Sequence, residues 1–400
     1  PGEYEIVVRE RLSEREGKTA SGTTIRARRN SATGEWLPAA GNLVVRCDSS
    51  TALNPGDRAV VRGKIYPFTA RHGGYGRLMT RRGYVGTLYL NRSSLLLSDT
   101  LHRELSPKHL SLFLHERAVA RLDRLALAPD EQALCNAMTA GDRRSLSPAL
   151  RAAYSRSGTS HLLAVSGLHV GIVFLLANLL LWWLPLFRHG HILRNIAVIL
   201  LIWLYAATTG FPPSVVRAAL MFSVLQFALA SSSEYVGMNT LAGVAFVMLL
   251  FHPDYLFDIS FQLSFIAVAG IIAWGLPLCR LLRTRRKSID MLTATLAIGF
   301  SASAATAPLI SHTFGQISVV GLALNPVVIL LSYVVVGSCT LWLVIPGTAL
   351  APLFSVVAGF AARAQNELIR AAAALPAAAL DIRLTTTQCW IVYGLFIFAT

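Results

Sequence analysis

Ser160, His161, Ser166 and His169 stand within ten residues at the head of an apolar run that continues to Leu186. A membrane segment rarely carries such groups without using them. Ser166 and His169 are one helical turn apart, and His161 lies about two turns before His169 if the helix reaches back that far. Gly167-x-x-x-Gly171 between them lets two helices approach closely in lipid. These side chains can line an aqueous path and hydrogen-bond passing phosphates, or serve equally well as a buried polar clamp between helices. A Ser-His hydrolase is the sharper alternative, but the sequence offers neither a Gly-x-Ser-x-Gly elbow nor a third member.

Further along, Arg217 follows Pro212-Pro213 by about one turn, and a guanidinium there can hold a phosphate through paired hydrogen bonds or snorkel to headgroups. Asp258 and Gln262, one turn apart, could supply a carboxylate partner that positions Arg217. Asn325-Pro326 is expected to break a long apolar run and leave backbone groups that need protein or a water-filled cavity. Gly299-x-x-x-Ser303-x-x-x-Ala307 adds a close-packing stripe. No phosphate-binding Gly-x-x-x-x-Gly-Lys-Ser/Thr loop occurs, so no nucleotide motor is expected. The cysteines at 47, 135, 279, 339 and 389 lack metal-ligand spacing, and a Cys47 to Cys135 bridge is weakly suggested at most. No metal or cofactor is expected.

The elements that must carry these groups are membrane helices. Of the 400 residues 54% are hydrophobic and 14% charged, and the charged ones crowd into the first 160 positions. Apolar stretches run at about 162–187, 192–210, 214–231, 236–251, 259–279, 291–311, 319–345 and 349–362, against the roughly 20 residues that span a bilayer, so at least six spanning helices are expected. The cluster Arg280, Arg283, Arg285, Arg286 and Lys287 places its loop on the cytoplasmic side, which puts the 188–194 loop inside and residues 1–160 outside. The chain starts at Pro1 and ends in a short apolar stretch, so both ends look cut.

Residues 1–160 carry a net charge of +10, from 25 basic and 15 acidic side chains, and the remainder carries +5. An outer domain this basic suits a polyanion or anionic lipid headgroups. Short strands are expected at Tyr4–Arg11, Thr23–Arg29, Asn42–Cys47, Arg58–Tyr66 and Tyr84–Leu90, separated by Gly, Asn, Pro and Ser. Five strands in ninety residues suggest a small barrel of the OB type. Such barrels bind single strands with a basic groove and aromatic platforms. Trp36 and Tyr66, with Phe68, Tyr75 and Tyr84, could supply rings near Arg62, Lys64, Arg71, Arg77, Arg81 and Arg82, although aromatic residues in small barrels also build cores. From Leu101 to Gly158 the pattern turns helical, as amphipathic surface helices or a linker.

The run Gly141-Asp142-Arg143-Arg144-Ser145-Leu146-Ser147, then Tyr154 to Val170 with its Ser-Gly-Leu-His, closely resembles the ComEC family of competence DNA channels. The resemblance continues through Pro213-Ser214-Val215-Val216-Arg217-Ala218, Asp258-Ile259-Ser260-Phe261-Gln262-Leu263-Ser264-Phe265, Phe314-Gly315-Gln316-Ile317-Ser318 and Leu324-Asn325-Pro326. It implies a polytopic α-helical membrane protein with an extracytoplasmic OB-fold-like small β-barrel at 1–95, an amphipathic helical connector at 96–160 and a transmembrane competence channel domain at 161–400. It further implies import of single-stranded DNA across the bacterial inner membrane during natural transformation, with His161, Ser166, Gly167, His169, Arg217, Asp258, Gln262 and Asn325 along the path. An outer DNA receptor and a cytoplasmic helicase-like ATPase would be partners beside DNA and lipid. Many members add helices before the barrel and a metallo-β-lactamase-like domain after the channel. The His-x-His-x-Asp-His cluster such a domain needs is absent from these ten histidines, so no nuclease activity is expected of this chain. The rival readings are a secondary transporter of a small anion and an intramembrane serine hydrolase.

Overall fold

The computed structural model describes residues 2–15, 18–30, 33–48, 53, 56–68, 76, 79–80, 83–99, 107–230, 237–318, 320–345, 351–375 and 379–398. Two compact units emerge, Pro1–Leu114 and His115–Thr400.

In the first unit, β-branched and aromatic residues alternating with Arg, Glu and Thr build seven strands. They are β1 (Gly2–Arg15), β2 (Lys18–Arg29), β3 (Trp36–Asp48), β4 (Arg58–Gly63), β5 (Ile65–Pro67), β6 (Tyr84–Leu90) and β7 (Leu95–Asp99). The first three form an antiparallel meander, and β3 then takes β6 in parallel, Asn42 opposite Tyr84 and Cys47 opposite Leu90. Only Lys64 separates β4 from β5. On one side β4 pairs with β1; on the other it pairs with β7, while β5 pairs with β6. The sheet therefore curls back to its first strand. Register shifts along β1 between Glu5 and Ile6 and between Val8 and Glu10 supply the bend. Ile6, Val8, Leu43, Val45, Val61 and Leu88 fill the interior, each burial worth about 1.5–3 kcal/mol. The outer side of β2 and β3 is closed as well: Phe68, Met79 and Tyr84 pack over Ala20 and Val44. Tyr84, expected as a candidate base platform, is thus a core residue. Arg71, Tyr75, Arg77, Arg81 and Arg82 lie outside the described residues.

The second unit is helical. Its first helices, the end of α1 (Pro107–Leu122), α2 (Pro129–Thr139) and α3 (Pro148–Arg156), each start on a proline, which fits a first turn because no partner for its N–H is needed there. The Ser147 hydroxyl caps α3, 3.2 Å from the Leu150 N. These helices are not a separate connector, because Leu122, Leu134 and Met138 share one core with Val335, Cys339 and Ile369 some 200 residues later.

There follow α4 (Gly167–Leu180), α5 (Gly190–Thr208), α6 (Pro213–Ala230), α7 (Gly237–Phe251), α8 (Ile259–Gly270), α9 (Leu276–Leu281), α10 (Lys287–Phe314), α11 (Val320–Val344), α12 (Ala351–Ala373) and α13 (Thr386–Phe398). Among the described residues five helices are long and apolar enough to cross a membrane: Gly167–Leu186, Gly190–Thr208, Ile259–Leu281, Ile289–Phe314 and Leu324–Val344. Two shorter apolar helices cover Pro213–Leu229 and Gly237–Phe251. The stretch expected at 349–362 opens α12, whose exposed stripe runs Leu353, Val356 and Phe360 and then turns charged at Arg363 and Glu367. That helix therefore passes from an apolar to an aqueous environment between Phe360 and Arg363.

Two expectations about helix packing are corrected. Pro326 does not break α11, which continues through it although the missing N–H leaves the Leu322 carbonyl without its helical donor. Nothing approaches Gly299 within 4 Å; the close contact is made by Ser301 and Ala305, against Gly270 and Gly275. Between those glycines, Ile271–Gly275 forms a π-helical turn joining α8 to α9.

The tightest corner lies where the α3 end meets the short strand β8 (Ile317–Ser318), which pairs with β9 (Ala379–Leu380). Gly158 has φ +74°, and a Cβ there would stand 2.3 Å from the Ser318 Cβ. Gly158→Ala is therefore expected to cost about 2 kcal/mol or more, read as the unfolding midpoint of the detergent-purified protein. Adding Ser318→Gly should recover part of the loss, since it relieves the clash and not the left-handed backbone. Full tolerance of Gly158→Ala would contradict this packing.

Asp142 offers a pH test. Burial alone would push its carboxyl up, but Arg144 donates to it from Nε at 2.9 Å and from its backbone N at 3.0 Å, which holds it below the usual carboxylate range. A carboxyl lowered on folding stabilises fully above its unfolded value and loses that contribution as pH falls through the lowered folded value. Asp142→Asn should thus cost about 1 kcal/mol near pH 7 and much less near pH 3, measured by unfolding at both.

Candidate functional site

Helix α4 begins where an irregular stretch ends. Residues Ser160–Leu163 form a single 3-10 turn, so the helix does not reach back as far as His161, and Ser166 stands at the N-cap with extended backbone. The Ser166 backbone N donates to His169 Nδ1 at 3.0 Å. A neutral His169 ring accepting there keeps its proton on Nε2, and that N–H is fully buried with no partner among the described residues. His161 belongs to the same neighbourhood: its ring bonds the Gly158 carbonyl and is close enough to interact electrostatically with His169. Non-helical backbone of this kind is tolerated at membrane depth only inside protein or beside a cavity.

Across from this helix start lies Arg217 on α6. It is 6% exposed, and its guanidinium reaches Gly167, where a Cβ would stand 3.0 Å from Nη2. One turn on, a Cβ at Gly171 would meet the Phe222 ring at 3.3 Å. The Gly167-x-x-x-Gly171 stripe therefore serves close approach to α6, as its spacing suggests. Arg217 Nη1 donates to the Ser264 carbonyl, the Phe265 ring lies 5.7 Å from its charge centre, and its Nε has no partner. It makes no ion pair among the described residues.

Asp258 does not supply the expected counter-charge. Its Oδ1 caps α8, accepting from the backbone N of Ser260 at 2.8 Å and of Phe261 at 3.2 Å. Gln262 donates to the Leu256 carbonyl at 2.7 Å. Both thus shape the start of α8, the helix whose Ser264 carbonyl Arg217 uses. Asn325 is half-buried on α11 with an unpaired Oδ1. No carboxylate could come from nearby sequence either, because the chain has no Asp or Glu between Asp142 and Glu234 but seven arginines in that interval. The helix dipole at the start of α4, Arg217 and the His169 N–H all favour negative charge.

It is not arranged for hydrolysis. His169 spends Nδ1 on the Ser166 backbone, and no hydrogen bond joins its Nε2 to a hydroxyl among the described residues.

In the curled sheet, Glu3 accepts from Arg29 Nη1 at 3.0 Å and from Arg62 Nε at 3.0 Å, which pulls its carboxyl below the usual range. These groups, with Trp36 and Leu97, line a shallow groove of about 420 Å³. Next to it on β4 and β5, Lys64 and Tyr66 point outward with the ammonium 5.8 Å from the ring centre, and Tyr66 meets the exposed Tyr89 edge-on at 5.8 Å. Tyr89 was not singled out from the sequence, although its alternation with the buried Leu88 and Leu90 signals an outward ring.

Bundle and site together define a multi-pass helical membrane protein with a buried arginine. A family model described as Competence protein matches residues 138–400, and the chain belongs to that family. It is 33% identical over 204 residues to the ComE operon protein 3 of Bacillus subtilis strain 168, covering 50% of this chain and 24% of that protein. It is 29% identical over 201 residues to an uncharacterized protein of Aquifex aeolicus strain VF5, covering 50% of this chain and 45% of that one. The matched stretches are thus less than half of either relative. No solved structure matches.

An uncompensated buried cation should destabilise its own fold. Arg217→Met, which keeps the length and removes the charge, is expected to leave stability unchanged or raise it by about 1–4 kcal/mol. The check is denaturant unfolding of the protein in micelles; a loss of stability would show that the charge is compensated within the fold.

Proposed function

We propose that this chain forms the path by which one DNA strand crosses the bacterial inner membrane during natural transformation. Membership in the competence family supports a role in DNA uptake. The observation that carries the channel reading is Arg217, a charge kept in an apolar bundle with no acidic partner among the described residues and set against the helix start at Gly167. A passing phosphodiester supplies the missing anion, in turn for each phosphate.

The curled sheet acts outside the membrane as an OB-type barrel. Its strand order supports this, with β3 and β6 parallel and the β4–β5 strand returning to β1. Tyr66, Tyr89 and Lys64 offer stacking and charge on its open side, and Trp36 with Arg62 lines the neighbouring groove. A duplex-binding receptor outside and a helicase-like ATPase inside complete the route. The chain itself shows no phosphate-binding loop, so the pulling force comes from a partner.

The test follows labelled DNA by compartment in a competent strain carrying the full-length gene, as wild type or His169→Ala at matched expression. The mutant should bind DNA outside normally and deliver about tenfold less or lower to the cytoplasm, as expected on losing one buried donor to a charged group. Normal import would remove this histidine from the path and favour a transporter of small anions.

A further inference from the structure

A chain of buried polar side chains, separate from the residues discussed so far, runs through the apolar core of the helical unit. It starts at a surface cavity of about 340 Å³ lined by Asp130, Glu131, Arg363, Asn366, Glu367 and Arg370. Arg370 pairs there with Asp130 and Glu367, and Arg363 Nε donates to Glu131 at 2.7 Å. This mouth lies on the charged end of α12, beyond the Phe360 to Arg363 boundary.

Asn366 links the mouth to the interior. It lines the cavity, yet it is 2% exposed and accepts from the Tyr154 hydroxyl at 3.1 Å. The same hydroxyl accepts from Gln365 Nε2 at 3.3 Å, while Gln365 Oε1 is buried without a partner. Tyr154 lies within electrostatic reach of the Cys135 thiol, Cys135 faces the Cys339 thiol, and Cys339 lies within reach of Tyr205. Thr139, one turn after Cys135 on α2, has a buried hydroxyl without a partner, and so does Tyr205. Tyr205 in turn packs against Val215, Ala218 and Ala219, which flank Arg217 on α6.

We propose that this seam is the access route from the aqueous face to the Arg217 site, closed in the described state and opened to water when a strand is engaged. Unsatisfied hydroxyl and amide groups are costly in an apolar core, and three of them among the described residues (on Gln365, Thr139 and Tyr205) belong to this succession of side chains between the surface cavity and α6. The seam between mouth and Arg217 is neutral: its groups are amides, hydroxyls and thiols. It would pass water and a hydrated strand without holding phosphates, leaving Arg217 as the charged station. The inference rests on the channel reading above and adds the direction of entry and the last residue before Arg217, Tyr205.

Two measurements on the full-length protein test it. Tyr205→Phe keeps the ring and deletes an unpartnered hydroxyl. A merely packed tyrosine would then give equal or higher stability with normal import. The access route requires equal or higher stability with import reduced about tenfold, the loss of one polar contact in transit. Arg217→Gln runs beside it: import insensitive to Arg217→Gln sinks the channel reading itself, whereas a defect in Arg217→Gln with none in Tyr205→Phe sinks only the seam.

The second measurement uses the native thiols. In membrane vesicles from the same strain with a single-stranded oligonucleotide engaged, a membrane-impermeant sulfonated methanethiosulfonate should label Cys339 at least about tenfold faster than Cys389 on α13, since only an accessible thiolate reacts. Without the oligonucleotide the seam is closed, and Cys339 labelling should fall to the Cys389 rate or below. Cys339 no faster than Cys389 until the protein is unfolded would overturn the proposal.

Discussion

One constraint organises the helical unit: a guanidinium must be kept in an apolar bundle without a carboxylate beside it. Everything touching Arg217 answers to that. Position 167 has no side chain because one would stand 3.0 Å from Nη2. The Ser264 carbonyl and the Phe265 ring offer partial negative charge without a full counter-charge. Asp258, the acidic group nearest in sequence to those two, is spent on the cap of α8. A full salt bridge would have made Arg217 a fixed strut; dipoles alone leave it able to exchange one partner for another.

The same constraint explains why the helices before the membrane spans are part of the core. α2 lies against α11 and α12, and Leu134 and Met138 are fully buried among residues from both. A polar site in lipid needs protein on all sides, and the short helices fill the side that long spanning helices leave open. The Gly158 turn against Ser318 and the Ser311 hydroxyl bond to the Ile382 carbonyl at 2.6 Å tie that corner to the end of α10 and to the segment after α12. Segments far apart in sequence, including most of those that resemble the competence family, therefore meet around α4.

Much of this was legible in the sequence where the signal is local. Alternation located five strands, covering β1 to β6, while the short β7 and the two-residue β8 and β9 escaped. The glycine stripe at 167 and 171 correctly signalled a close helix contact. Asp258 ahead of an apolar run is an N-cap signature, and reading it as a partner for Arg217 missed that local competitor. Whether the α4 helix reaches back to His161 was left open, because periodicity cannot show that Ser166 takes the cap and starts the helix there. The seam was illegible for another reason. Tyr154 meets Gln365 and Asn366 across more than 200 residues, and neither tyrosine nor glutamine in an amphipathic helix announces a buried partner.

On the proposed channel reading, the distribution of charge suits a translocating polyanion. Long-range attraction favours many cations, and the part of the chain with the curled sheet supplies them, with residues 1–160 carrying +10. Deep in the bundle the same density would hold successive phosphates too firmly to release, because each contact strengthens as the local dielectric falls. Conduction asks for binding strong enough to enter and weak enough to leave. A single buried arginine reached through a neutral seam would meet both conditions: the charge makes entry of an anion favourable, and the uncharged hydroxyls and amides leading to it give the next phosphate nowhere to stop.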